Sequence, residues 1–382
     1  MNRRTLYVGV CLIALVPISA LSADQKPYPA VTEVKDGVKT ITNPGFPRDG
    51  RFVANLTEEM SCGSEGGPPE ALLNKPVLFD IDDQGNVYVM DIGDVSIKAY
   101  NNRGRFIRTI GRPGQGPGEF GGIMAYLRSM TRGRLCILDF FQRRVMIMRS
   151  DGRYLSGFSV KGNYSGVEVD AKDRIFLSNR EHMVDVDKLT TSPQEVPYLT
   201  RIYRMDSSGG QLMPLTQFSG ETWAMDRSGE QIGSVGGAFI IVWNISRGGT
   251  LFGGFTGEFS LGVFGEDGKK EFVFGRQYNA LKDTSYRGKV GQKKTLPVFR
   301  AIIMDEEDNL WLDLYQDDAA KAFLYDVFSP DGIYRRQVAI NQKIDRFRNG
   351  RVYSLVRSEE GYPSIKRYNM ELIPNLEQLE RK

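Results

Sequence analysis

At 382 residues, 41% hydrophobic and 25% charged, the chain has the composition of a folded protein with material for a large core, which excludes a disordered or collagen-like polymer. Fifty Lys and Arg against 47 Asp and Glu leave a formal charge of +3, too small a surplus for a nucleic-acid-binding face. Glycine is abundant, at 42 residues, which suits a fold with many tight turns.

Arg3-Arg4, the apolar run Leu6 to Val16 and the small residues Ser19, Ala20, Ser22 and Ala23 follow the pattern of a secretory signal peptide. An apolar run of this length is too short to span a bilayer, which takes about 20 residues. We therefore expect residues 1–23 to be removed, leaving no transmembrane segment and an extracytoplasmic protein, periplasmic or secreted. The loss of Arg3 and Arg4, with no acid, lowers the charge from +3 to +1. Cys11 leaves with that segment. Of the two remaining cysteines, Cys136 lies in the apolar run Leu135 to Leu138 and reads as a small core residue, not half of a disulfide with Cys62.

Val31 to Ile41 reads as a strand hairpin around Asp36-Gly37. A Pro/Gly connector (Asn43 to Pro47), a short strand-like run (Phe52 to Leu56) and a loop (Ser61 to Pro69) follow. From Phe79 to Phe120 the pattern is fullest. Phe79 and Ile81 precede a polar turn at Asp82 to Gly85, and Val87 to Met90 form a second apolar run. Ile97 to Tyr100 form a third, Asn101 to Gly104 turn the chain, and Arg105 to Ile110 form a fourth run before a Gly/Pro-rich loop. That is four short strands in one module.

The module recurs. A polar turn followed by an apolar strand returns at Gly85 to Val89, Gly133 to Ile137, Asp173 to Leu177, Gly248 to Phe252, Asp308 to Leu312 and Gly350 to Ser354. A second turn runs in phase with it, at Asn102 to Gly104, Ser150 to Gly152, Ser208 to Gly210, Glu266 to Gly268 and Pro330 to Gly332. Six copies predict an all-β fold, a six-bladed β-propeller of four-stranded antiparallel blades. The blades should cover about 76–112, 120–161, 165–218, 236–276, 298–340 and 343–372. The last lacks an outer strand, and the N-terminal strand within 31–41 is expected to fill that place and close the ring. Long insertions are expected at 180–197, 220–235 and 279–296.

Ile110 to Phe120, following Gly85 to Asp91, resembles the NHL repeat. The signal-like segment, early strand and six units resemble the exported six-bladed propellers of bacteria. The resemblance is strongest over 76–160 and weakest across 180–236. It implies a binding scaffold more often than an enzyme, although the type includes lyases and lies near calcium-dependent lactonase-type propellers.

Loops between second and third strands share a face with the blade-to-blade crossings. On that face the ligand candidates are Asp91, Asp94, Arg112, Gln115, Arg180 and His182. His182 is the sole histidine, so a site of two or three histidines is excluded. A calcium ion would need oxygen donors such as Asp91, Asp139 and Asn179. Their recurrence at the ends of second strands reads more simply as turn capping. The Gly111 to Gly118 loop lacks the helix and Lys-Ser/Thr signature of a phosphate cradle, and no Gly-x-Ser-x-Gly occurs. The expected function is non-catalytic recognition, by a monomer, of a protein, peptide or glycan, with no cofactor and no nucleic acid. The alternative is a calcium-dependent hydrolase or lyase with a carboxylate-lined site at the axis. An aromatic patch around Trp223 or Trp243 would favour partner binding.

Overall fold

Each copy of the module folds into an antiparallel sheet with its strands in sequence order. The computed structural model describes residues 28–63, 67–122, 125–162, 164–183, 194–206, 208–209, 211–226, 232–234, 240–282, 295–315 and 322–375. The expected signal peptide lies outside them. Among the described residues no helix is long and apolar enough to cross a membrane.

Three strands precede the repeats: β1 (Val31–Lys35), β2 (Val38–Asn43) and β3 (Arg51–Cys62). Blade 1 comprises β4 (Pro76–Ile81), β5 (Val87–Asp91), β6 (Ser96–Tyr100) and β7 (Phe106–Ile110). Blade 2 comprises β8 (Ala125–Met130), β9 (Arg134–Asp139), β10 (Arg144–Arg149) and β11 (Tyr154–Ser159). Blade 3 has five strands, β12 (Tyr164–Val169), β13 (Ile175–His182), β14 (Gln194–Met205), β15 (Met213–Asp226) and β16 (Ile232–Ser234). Blade 4 follows with β17 (Ile241–Ile245), β18 (Leu251–Phe255), β19 (Ser260–Phe264) and β20 (Lys270–Arg276). Blade 5 comprises β21 (Phe299–Met304), β22 (Leu310–Leu314), β23 (Phe323–Phe328) and β24 (Tyr334–Ile340). Blade 6 supplies only β25 (Arg346–Arg348), β26 (Arg351–Arg357) and β27 (Pro363–Pro374).

The middle strands are buried on both faces, because each blade is packed between two others. β5 and β6 are buried at every position, whereas the outer β7 exposes its centre. That explains why second strands read as continuous apolar runs in place of an alternation. The buried apolar side chains form six clusters, one per blade-to-blade interface. Tyr88 and Ile97 of blade 1 meet Leu135 and Met146 of blade 2, and so on to Tyr353 and Ile365 of blade 6, which meet Phe79 and Val89 of blade 1. The last of these closes the ring.

The turn after the first strand has a specific cause in blades 1, 3 and 5. Asp82 accepts the backbone N–H groups of Gln84 and Asn86 at 2.9 Å each, and its second oxygen accepts the Tyr88 hydroxyl at 2.9 Å. Asp170 holds Lys172 and Arg174 in the same way, and Asp305 holds Glu307 and Asn309. The fourth residue of this turn takes positive φ: 81° at Gly85, 61° at Asp173 and 61° at Asp308. Gly and Asp are residue types that accept that conformation.

Closure departs from expectation in one respect. An N-terminal strand does complete blade 6, but it is β3, antiparallel to β27 from Ile365↔Cys62 to Pro374↔Phe52. The β1–β2 hairpin within 31–41 lies instead on the outer edge of blade 4, with β2 parallel to β20. The physical reason is burial. β1 is exposed at every position and β2 buries only Ile41 and Asn43, whereas β3 turns Ala54, Met60 and Cys62 into the core. β3 also runs parallel to β24, so blades 5 and 6 merge into one eight-stranded sheet.

Blade 3 corrects the expected insertions at 180–197 and 220–235. Their described parts prolong β13, β14 and β15, which pair as far as His182↔Tyr198 and Gln194↔Ala224. Residues 184–193 and 283–294 lie outside the described residues. Cys62 and Cys136 are buried and unpaired.

Candidate ligand-binding cavity at the ring axis

The candidates named from sequence fall at one end of the blades, where second strands finish beside the starts of first strands. Asp91 is fully buried; its carboxylate accepts the backbone N–H groups of Asn74 (2.6 Å), Lys75 (2.9 Å) and Gly93 (3.0 Å). Asp139 accepts those of Gly121 (2.8 Å) and Gln142 (3.0 Å). Both acids tie a second-strand end to the incoming crossing. Among the described residues, Asn179 makes one side-chain hydrogen bond, at 3.3 Å to Glu181, and its buried side-chain carbonyl oxygen has no partner. Asp94 pairs at 2.6 Å with the buried Lys98, which also donates to the Leu72 carbonyl.

Arg112 is largely exposed and forms an ion pair with Glu119 at 2.8 Å. Glu119 also accepts the Gly116 N–H, and Arg144 donates to the carbonyls of Gln115, Gly116 and Glu119. The glycine-rich loop is thus held by its own residues and by Arg144. Neither Arg112 nor Gln115 reaches the axial cavity. Arg180 stacks 4.1 Å above the Tyr198 ring. The His182 backbone belongs to β13, and its side chain lies outside the described residues, as does that of Trp223. Trp243, around which an aromatic patch would have favoured partner binding, lies on the first strand of blade 4 and packs against the core between blades 3 and 4.

The cavity that draws on all six blades lies at the axis. It has a volume of about 140 Å³ and is lined by all six first strands. Strand register places Asp80, Arg128, Glu168, Asn244, Ile303 and Arg346 at equivalent positions, each opposite the residue three places after the positive-φ residue of the turn. In ring order these are an acid, a base, an acid, an amide, an aliphatic residue and a base. Arg128 grips Glu168 through two contacts, 2.7 Å from Nε and 2.5 Å from Nη2. Burial opposes the charge of Arg128, but Glu168 outweighs it and raises the guanidinium pKa. Arg346 has no such clasp. It stands 3.5 Å from Asp80, whose other oxygen accepts the Ser129 N–H at 2.6 Å. Burial, and then the neighbouring Arg128, lower the pKa of Arg346.

Two residues further along β25, Arg348 donates to the Ile81 carbonyl at 3.1 Å and lies 3.6 Å from the exposed Asp83. The apolar part of the lining lies beside the arginines: Ile303 and Met304 on the neighbouring blade 5, and Phe347 between Arg346 and Arg348 on β25. A second cavity, about 200 Å³, shares Ser129, Val169 and Arg348 with the first and opens among the turns that follow the first strands. The axial cavity therefore opens at the end of the blades opposite to the sequence candidates. Among the described residues no three of His, Cys, Asp and Glu are grouped to hold a metal ion.

Residues 71–158 match the DUF5128 family, described as a 6-bladed beta-propeller. The chain has the six-bladed β-propeller fold. A putative exported protein from Bacteroides fragilis superposes with a TM-score of 0.51 at 12% identity, over 84% of this chain and 96% of that one. A DUF4221-family member from Bacteroides vulgatus gives 0.53 at 11% identity, over 84% and 99%. A gluconolactonase from Xanthomonas campestris gives 0.44 at 11% identity, over 82% and 99%. No curated protein matches the chain.

The axial ring escaped sequence reasoning because its members share no common residue type across the six modules, only Arg128 and Arg346 being alike. The signal available was positional: each precedes the capped turn by a fixed offset, as Asp80 precedes Asp82 and Glu168 precedes Asp170.

Proposed function

We propose that the protein is an exported, NHL-type recognition propeller that binds a protein, peptide or glycan through one face without chemically altering it. One observation carries this reading: the carboxylates best placed for chemistry are committed to the scaffold. Asp91 receives three backbone N–H groups and Asp139 two, and the axial Glu168 is clasped by Arg128. A carboxylate that fixes its own loop is not free to take a proton from water or to complete a calcium shell.

The test is capture from an envelope extract on immobilised mature protein, with calcium and with a chelator, alongside hydrolysis assays on a panel of lactones and esters. Retention of one defined partner, unchanged by chelation and without turnover, is expected. Calcium-dependent turnover would overturn the reading.

The second reading, a calcium-dependent hydrolase or lyase, draws support from Asp80 and Glu168, which do reach the axis. Calcium there would have to displace the Arg128 and Arg346 guanidinium groups. A calcium titration followed by calorimetry, repeated on Glu168→Gln, decides it: saturable binding lost in the variant favours the enzyme.

A further inference from the structure

We propose that the axial cavity binds a small carboxylic acid, or the carboxylate end of a larger ligand, with the carboxylate on Arg346 and Arg348 and the hydrocarbon on Ile303, Met304 and Phe347. The inference deepens the recognition reading by naming the ligand chemistry, and it moves the site to the axis.

The argument begins with which arginine is spent. Arg128 is satisfied by Glu168 and the Leu127 carbonyl. Arg346 donates one hydrogen bond, from Nη1 to the Asp345 carbonyl at 2.9 Å, and its Nη2 donates to no described residue. Arg348 uses Nε on the Ile81 carbonyl and Nη2 on the Ser129 hydroxyl at 3.4 Å, leaving Nη1 without a described acceptor. A guanidinium is always charged and presents its donors in a planar fork that matches an oxyanion. Two part-used forks therefore face one small space.

Charge then selects the anion. Asp80 and Glu168 line the same cavity, so the excess of its three arginines over its two carboxylates is a single positive charge. A monoanion balances that excess. A phosphate dianion would be repelled by the two carboxylates. The apolar lining beside the two arginines selects the rest of the ligand. Ile303, Met304 and Phe347 offer no donor or acceptor, so they suit a short hydrocarbon body, and about 140 Å³ has room for a few carbon atoms beyond the carboxylate.

The experiment titrates the mature protein, its methionine methyl groups ¹³C-labelled, with 4-methylpentanoate. The probes beside it are 4-methylpentan-1-ol, which lacks the charge, and inorganic phosphate, which lacks the hydrocarbon. The expected result is saturable binding of the acid that shifts the Met304 methyl signal, assigned with Met304→Leu, and much weaker binding of alcohol and phosphate. Arg346→Gln and Arg348→Gln should each weaken acid binding by about tenfold or more, while Arg103→Gln, in an exposed hairpin, should not. Circular dichroism and the melting temperature show whether each variant is folded; two separate variants and the Met304 signal keep the test decisive if one of them is not.

Phosphate binding as tightly as the acid, an unmoved Met304 signal, or unchanged affinity in both variants would overturn the inference. Extract capture separates the two proposals. A partner still retained by a wild-type protein that ignores the acid leaves the recognition reading standing and removes this one; turnover removes that reading and leaves acid binding to be judged alone.

Discussion

Asn43 and Tyr334 are joined across the seam between blades 4 and 5: the side-chain oxygen of Asn43 accepts the Tyr334 backbone N–H at 3.0 Å. The nitrogen of the same carboxamide donates to the carbonyls of Gly275 and Gly332, at 2.8 Å each, and Asn43 is fully buried. One side chain at the end of β2 thus pins the N-terminal hairpin to two blades. Asn43→Ala strands three buried polar groups. It should cost about 2–4 kcal/mol in denaturant unfolding, with little change in the unfolding slope. A loss below half a kcal/mol would mean that water replaces the carboxamide.

Asp91 should behave as a structural acid. Asp91→Ala removes the acceptor for three N–H groups and should lower stability by about 2–4 kcal/mol. Asp91→Asn keeps one acceptor and should lose less. If Asp91 ligated calcium, added calcium would raise the melting temperature of the wild type and not of Asp91→Asn. We expect equal responses from the two.

The two buried thiols should be unreactive. Burial pushes Cys62 and Cys136 up to about 12, so the thiolate is scarce at pH 8. Ellman's reagent should leave both untouched in the folded protein and titrate both in guanidinium. Rapid labelling of either one in the native state would show that its blade interface opens.

Glu266 links blade 4 to blade 3. Hydrogen bonds from Arg174 and Lys172 lower its carboxyl from the usual 4.5 to about 2. The folded value lies below the unfolded one, so the stabilisation is present above about pH 4.5 and fades as pH falls towards 2. Glu266→Gln should therefore lower stability at pH 7, lose that difference as pH falls towards 2, and so flatten the acid limb between pH 5 and 2. A variant whose acid limb is as steep as the wild type's would assign that limb to other carboxylates.

How much could be read without coordinates follows from where the information sits. Asp-Gly and Asn-x-Gly turns and the apolar second strands are local features, so six modules and their phase were legible in residues such as Gly85, Val87 and Val89. The partner of a free strand is a long-range fact. Val38 to Ile41 and Phe52 to Leu56 look alike as short runs, and only the inward placement of Met60 and Cys62 against blade 6 decides which closes the ring. The capping role of Asp91 and Asp139 was legible from their recurrence. The axial ring was not, because function there depends on six strands contributing side chains of five different types to one point.

The strand that completes blade 6 is synthesised before any blade and used last. Lys366 of β27 and Glu58 of β3 form an ion pair 308 positions apart. At about 5–20 residues per second, β3 leaves the ribosome roughly 15–60 s before its partner exists. Its run of Glu58 and Glu59 discourages wrong edge pairing during that wait. Assembly of the last sheet thus becomes a late, length-dependent event, and a truncation that removes only β27 should yield a chain with five formed blades and a β3 held only by its short parallel pairing with β24, prone to aggregate.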